Sequence, residues 1–353
     1  MYSIVKISYM LKREDFYEIN QKTLERFCQK SSRKIDFYVY PELNAIVRKN
    51  PSKTVKKYIY TEFKVGGSFI RRCFIFFYTR ILLNTNGCFA SKKLALPITI
   101  DRDSLIYPCN KKYRIFDFSK NVVRVVPKVG FSTEELEREI AFRTANQETF
   151  IPPLIEWTEE EYTEKIIDGY SVARAGKRTN ELKQRAWNIW QDFIKNTKEI
   201  VKVSAYIKQL LVQAQQLFEE LKELKKTVEE NDFNELINKL SSPLLYSEEE
   251  LVVALSHGDL QQGNIWVERN TDQVYIIDWE SYGRRSDWYD EAVLFKNLRT
   301  EKGIREYCLE VDVKHNIVLL EDLIFRLQEL KRLPENYNTA NFNEHVLMML
   351  GRG

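Results

Sequence analysis

The chain contains no run of eighteen or more apolar residues, so the sequence offers no candidate for a membrane-spanning helix. Its opening, MYSIVKISYMLKRED, lacks the pattern of a secretory signal, and a cytoplasmic location is expected. Cysteine is sparse. Cys28, Cys73, Cys88, Cys109 and Cys308 are odd in number, scattered and without CxxC spacing, which argues against a disulfide framework or a zinc site and reads as reduced thiols. Three histidines, His257, His315 and His345, leave little capacity for metals other than magnesium. There is no internal repeat and no low-complexity tract. What remains is ordinary for a soluble globular protein: 353 residues, 44% hydrophobic and 30% charged, enough for two lobes and a sizeable core.

Charge is unevenly spread. Residues 1–95 hold 19 Lys/Arg against 7 Asp/Glu, or +12, which leaves −9 for the rest of a chain whose total is +3. A basic front and an acidic rear point to different partners for the two parts. The basic part carries a likeness to a surface helix in KTVKKYIYTEFKVGGSFIRRCFIFFYTRILL, where arginines are interleaved with aromatics. Burial within an N-terminal subdomain, with the Arg side chains snorkelling outward, is the favoured reading, because Phe74–Phe77 has no clean polar face. Contact of residues 64–83 with an anionic membrane surface is the competing one. No nucleic-acid partner is expected.

Further along, Tyr113–Phe118 and Val122–Val126 predict two strands around the turn Ser119-Lys120-Asn121. TEELEREIAFRTA predicts a helix capped by Thr133. Past Pro152-Pro153 come two more strands and a break at Asp168-Gly169. Asn180–Ser242 is read as helical, with Leu210, Leu211, Leu217, Leu221 and Leu224 as a buried stripe. The expected organisation is a basic, aromatic-rich subdomain over 1–93, a β-rich lobe over 94–168 and a helical lobe over 169–353.

The stretch Ser256–Glu280, SHGDLQQGNIWVERNTDQVYIIDWE, carries the chemistry. His257, Gly258, Asp259 and Asn264 form a His-Gly-Asp-x4-Asn loop, and Asp278 ends an apolar strand nineteen residues after Asp259. Two carboxylates and an amide in this order suit magnesium-assisted phosphoryl transfer: one carboxylate orients the incoming hydroxyl, while the amide and the other carboxylate hold the metal on the nucleotide phosphates. The stretch resembles the aminoglycoside phosphotransferase and choline kinase family. HGDLQQGN looks like its catalytic loop, with Gly where protein kinases have the Arg of HRD, and IIDWE looks like its counterpart of DFG. The resemblance extends to SYGRRSDWYDEAVL, where Asp290 matches the family's acid that props up the catalytic loop.

The resemblance implies an α+β, protein-kinase-like bilobal fold with a small β-rich N-lobe, a larger, mostly helical C-lobe and an extra basic N-terminal segment. It implies a kinase that uses ATP and Mg2+ to phosphorylate a hydroxyl of a small molecule. Asp259 would be the catalytic base and Asn264 and Asp278 the metal ligands. Arg124 or Lys128, paired with Glu139, would bind the phosphates, and backbone at Glu164–Ile167 would meet the base of the nucleotide. The acidic and aromatic residues Glu280, Asp287, Asp290, Trp279, Tyr282, Trp288 and Tyr289 would suit a cationic acceptor such as an amino sugar or choline-like group. A sugar or polysaccharide precursor is the other acceptor class. The chain departs from the pattern in one place: IYPCNKKYR, at the position of the phosphate-covering loop, has no glycine. That departure favours the alternative of a weak or inactive nucleotide-binding or structural protein, as spore-coat-type members of the superfamily are.

Overall fold

The structure, a computed structural model, describes residues 14–40, 43–62, 69–85, 87–109, 111–224, 226–333 and 339–352. The chain divides into two compact units, Met1–Gln147 with Pro152–Asp168, and Glu148–Ile151 with Gly169–Gly353.

The first unit is built on one eight-stranded sheet. In chain order it contains α1 (Glu14–Phe27), β1 (Lys30–Tyr40), β2 (Ala45–Arg48), α2 (Lys53–Glu62), α3 (Phe69–Asn84) and β3 (Lys92–Ile98). It continues with β4 (Ser104–Pro108), β5 (Lys112–Asp117), β6 (Val122–Pro127), α4 (Glu134–Ala145), β7 (Leu154–Trp157) and β8 (Tyr162–Lys165). The strand order is β3-β1-β2-β4-β5-β6-β8-β7, antiparallel throughout. Because successive side chains point to opposite faces, each strand feeds two cores. Phe37, Val39, Ile46, Tyr113 and Val126 pack with Leu24 of α1. Tyr38, Val47, Phe116, Val123 and Val125 pack with Val55 and Ile59 of α2, Leu82 and Leu83 of α3, and Leu136 and Ile140 of α4.

The boundary expected at 93/94 does not divide the fold. β3 runs across it, and β2 pairs with β4 through Ile46 against Ile106 and Val47 against Leu105. The physical reason is edge satisfaction: the outer edge of β4 has a row of backbone donors and acceptors, and β2 supplies their partners.

The main part of the second unit begins where the sequence breaks, at Gly169. It contains β9 (Gly169–Ser171), α5 (Thr179–Ile194), β10 (Glu199–Lys202), α6 (Val203–Glu223), α7 (Glu230–Ser241), β11 (Glu250–Ser256), β12 (Ile265–Glu268) and β13 (Val274–Ile276). β14 (Gly283–Ser286), α8 (Tyr289–Phe295), α9 (Glu301–Tyr307), α10 (Val313–Arg332) and α11 (Thr339–Leu350) complete it. Two small sheets, β10-β11-β14 and β13-β12-β9, sit among these helices. The apolar stripe of α6, Ile207, Leu210, Leu217 and Leu221, is buried against Phe233 and Leu236 of α7 and Ile317, Leu320 and Leu327 of α10. Leu224, expected in that stripe, is the C-cap of α6 and lies exposed, because the helix ends before another turn can carry it inward. The class is α+β, with one unit built on an antiparallel sheet and the other mostly helical, as expected. Among the described residues no helix is long and apolar enough to cross a membrane.

Candidate active site

The loop after β11 is organised by one buried carboxylate. Asp290, in the first turn of α8 and 3% exposed, accepts hydrogen bonds from His257 N (2.8 Å), Gly258 N (3.1 Å), Ser256 Oγ (3.0 Å) and Trp190 Nε1 of α5 (3.0 Å). Four donors around one carboxylate offset its desolvation, which an unpaired buried charge could not survive. The brace read from the resemblance is therefore present, and it is the backbone of the loop itself that Asp290 holds.

Gly258 is required by geometry. Its φ is +83°, and a Cβ there would lie 2.1 Å from the carbonyl oxygen of Ser281. No side chain fits where protein kinases carry Arg. His257 is fully buried, and burial lowers its pKa. Its Nε2 donates to Ile277 O (3.1 Å) and its Nδ1 accepts from Asp259 N (3.2 Å), the arrangement of a neutral ring. It shapes the loop.

Both oxygens of Asp259 are held. Oδ1 accepts from Arg299 Nε (2.8 Å), and Oδ2 accepts from Gln261 Nε2 (2.9 Å) and Asn264 Nδ2 (3.0 Å). Arg299 was not suggested by the sequence. It also donates to Gly258 O (2.6 Å), to Tyr289 Oη (2.8 Å) and to Asp322 of α10, and its guanidinium stacks over Phe325 at 3.7 Å. Burial opposes its charge, and Tyr289, Asp322 and Asp259 more than offset that, so its pKa lies well above the ordinary range.

Asn264 gives its amide hydrogens to Asp259, to both the carboxylate and the backbone carbonyl (2.9 Å). Its Oδ1 accepts no hydrogen bond among the described residues, which leaves an oxygen donor open. Asn264 O also accepts from Ile277 N (2.9 Å). Ile277 is thus tied to both ends of the loop, through His257 and through Asn264, and Asp278 follows it directly. Asp278 is left-handed, with φ 72°, a conformation that costs a non-glycine residue about 1 kcal/mol and is concentrated at functional sites. An amide oxygen and a carboxylate are hard donors, and they fit Mg2+.

In the first unit the expected pairing is corrected. Glu139 of α4, 1% exposed, is met by Lys112 Nζ of β5 (3.1 Å), Tyr162 Oη (3.0 Å) and Arg143 Nη1 (3.4 Å). Arg124 alternates with Val123 and Val125, which face α4, so its side chain leaves by the other face and pairs with Glu161 (2.5 Å). Lys128, on the same side as Arg124, is buried with its ammonium over the rings of Tyr113 (5.5 Å) and Phe131 (5.7 Å), and burial lowers its pKa to about 8. One residue before Lys112, Lys111 reaches Glu135 (2.7 Å), one turn from Glu139. Both lysines lie in IYPCNKKYR, the stretch whose lack of glycine is plain in the sequence. The β4–β5 connection closes tightly, with Cys109 N donating to Lys112 O (2.9 Å). Of the amides expected to meet the nucleotide base, that of Ile166 already donates to Asn121 O (3.1 Å).

The acceptor residues also need revision. Trp279 and Tyr289 are fully buried and Asp290 is the brace, so these three belong to the core. Asp287 lies 3.7 Å from Lys198, and burial raises its pKa.

Comparison with known proteins bears on the same stretch. The family model described as choline/ethanolamine kinase matches residues 159–312. No curated protein matches the chain. Among solved structures, the choline kinase of Cryptosporidium parvum is 14% identical, covering 72% of this chain and 87% of its own, with a TM-score of 0.40. The ethanolamine kinase of Plasmodium vivax is 12% identical, covering 87% and 96%, with a TM-score of 0.40. An aminoglycoside 3'-phosphotransferase of type VIII is 15% identical, covering 63% and 94%, with a TM-score of 0.38. The stretch that holds Asp259, Asn264 and Asp278 thus matches the choline/ethanolamine kinase family, as the resemblance of its catalytic-loop motif implied.

Proposed function

We propose that the protein is a phosphotransferase that uses ATP and Mg2+ to phosphorylate an alcohol group of a small molecule. The observation that carries this reading is Asp259, an acid with both oxygens directed by neighbours, in a loop whose backbone is clamped by Asp290. Phosphoryl transfer through a loose transition state asks little of a base beyond position. Asp259 accepts the hydrogen bond of the incoming hydroxyl and aligns its oxygen with the γ-phosphorus. It receives the hydroxyl proton as the new O–P bond forms and the bond from the γ-phosphorus to the bridging oxygen breaks, ADP leaving with that electron pair. Asn264 Oδ1 and the Asp278 carboxylate hold Mg2+, which when bound neutralises charge on the phosphates. Lys112, steadied by Glu139, is the phosphate-binding cation. The acceptor class is an amino sugar, a choline-like amine alcohol or a sugar or polysaccharide precursor.

The test is ADP release across a panel of choline, ethanolamine, aminoglycosides and sugars, with Asp259→Asn as control. Turnover with one acceptor class that is lost in Asp259→Asn supports the proposal. A second reading, a nucleotide-binding protein without turnover, is favoured by the tight, glycine-free β4–β5 connection. Mg-ATP that raises the thermal midpoint while every acceptor fails would decide for it.

A further inference from the structure

The helix α3 faces two environments that do not match its composition. Its inner side is ordinary: Leu82 and Leu83 are buried in the core that holds Val55 and Ile59 of α2, and Thr79 is buried beside them. α2 and α3 are joined by Lys56 Nζ to Asn84 Oδ1 (2.8 Å) and by Asn84 Nδ2 to Tyr60 Oη (3.2 Å). The outer side is where a water-facing helix places polar residues. Instead Phe74 is 66% exposed, Phe77 62% and Ile81 51%, at spacings of three and four that put them in one stripe. Phe76, 45% exposed, borders it. The burial expected for Phe74–Phe77 is therefore not found, and part of the expected segment, residues 63–68, lies outside the described residues.

Single exposed apolar residues need no explanation, but a stripe of large ones marks a surface that is covered by something. Charge indicates what. The sequence of α3, FIRRCFIFFYTRILLN, has three arginines and no acid. On α2, Lys53 and Lys57 are exposed, and Lys56 is half-buried. Arg80 lays its guanidinium over the rings of Phe76 (3.4 Å) and Tyr60 (4.5 Å), bridging the apolar stripe to water. The first 95 residues together carry +12. A second copy of the same face would bring like charge against like charge, which disfavours self-pairing. An aromatic and aliphatic stripe in a cationic surround has the composition of helices that lie in the headgroup region of anionic membranes. At sixteen residues α3 is about 24 Å long, too short to span a bilayer and well suited to lie on one.

We propose that the outward face of α3, centred on Phe74, Phe77 and Ile81, docks the protein on an anionic lipid surface. The test is co-sedimentation of the full chain with vesicles of phosphatidylcholine, alone or mixed with phosphatidylserine. Wild type should bind the mixed vesicles, bind phosphatidylcholine weakly and release as salt rises. The triple variant Phe74→Ser, Phe77→Ser, Ile81→Ser should bind on the order of a hundredfold less tightly. Its thermal midpoint should match wild type, because the replaced side chains are exposed, so lost binding cannot be laid to unfolding. Wild type that stays in solution with every vesicle overturns the proposal, as does a triple variant that binds equally well. A reversible dimer in wild type that the triple variant abolishes would assign the face to a second copy and overturn it too.

Discussion

Replacing Asp290 by Asn tests whether the loop is held as described. Oδ1 accepts from Ser256 Oγ and Gly258 N, and Oδ2 from His257 N and Trp190 Nε1. Asn turns one oxygen into an NH2, so one pair of donors must face a donor. The cheaper orientation sets Nδ2 toward Ser256 and Gly258. The Ser256 hydroxyl can rotate to accept, and Gly258 N keeps its bond to Ser256 Oγ (3.0 Å). Even so, the charge that strengthened all four bonds is gone. The other orientation leaves His257 N and the buried Trp190 Nε1 without an acceptor. At roughly 1–3 kcal/mol for each buried group left unpaired, the loss is about 2 kcal/mol for the first orientation and up to about 6 for the second. The assay is guanidinium unfolding followed by tryptophan fluorescence, which reports mainly on the second unit because five of the six tryptophans lie there. The midpoint should fall with the slope unchanged. Asp290→Asn within about 0.5 kcal/mol of wild type would show that the four bonds do not hold the loop.

Other outcomes follow from the same geometry. Lys112→Met should raise the KM for ATP on the order of tenfold or more while Arg124→Met leaves it within about twofold; the reverse order in steady-state kinetics would restore Arg124 as the phosphate ligand. Arg299→Met strands Asp259 and part of Asp322, so chemical denaturation should show a loss of about 3 kcal/mol and ADP release should drop through kcat. Glu321 is fully buried, and burial raises its pKa to about 7 against the donors Tyr206 and Ser286. The folded state therefore keeps a proton that the unfolded chain releases above its ordinary value of 4.5, and this contribution, present below about pH 4.5, is lost as pH rises through about 7. It is on the order of 3 kcal/mol, and Glu321→Gln should flatten the stability profile measured between about pH 5 and pH 8.

What the sequence showed and what it hid divide along a physical line. Asp259, Asn264 and Asp278 could be singled out because they lie close together in the chain, in one tight loop and at the end of the hairpin that follows it. Asp290 could be singled out because the motif's resemblance to the kinase family extends to the next helix. Arg299 could not, since a lone arginine forty residues after Asp259 becomes its partner only once α8, α9 and α10 pack. The pairing of Glu139 lies between these cases. Arg124 looked suitable because it sits mid-strand before α4, yet Val123 and Val125 on either side already signalled that the apolar face was theirs and that Arg124 points away. Lys112 needed the β5–β6 register, which sets it opposite Pro127 and which no single strand reveals. The same limit explains the sheet: β2 and β4 are far apart in the chain, and nothing local announces that Ile46 will pair with Ile106. β10 was missed for a related reason, as a four-residue strand with two apolar residues between Glu199 and Lys202 becomes a strand only beside β11. The aromatic run in α3 misled in the other direction. Apolar residues are buried when a partner surface exists, and the core of the first unit is filled on that side by Thr79, Leu82 and Leu83. Phe74, Phe77 and Ile81 are left over from a fold that has already closed, which is why their explanation lies in what the protein meets outside itself.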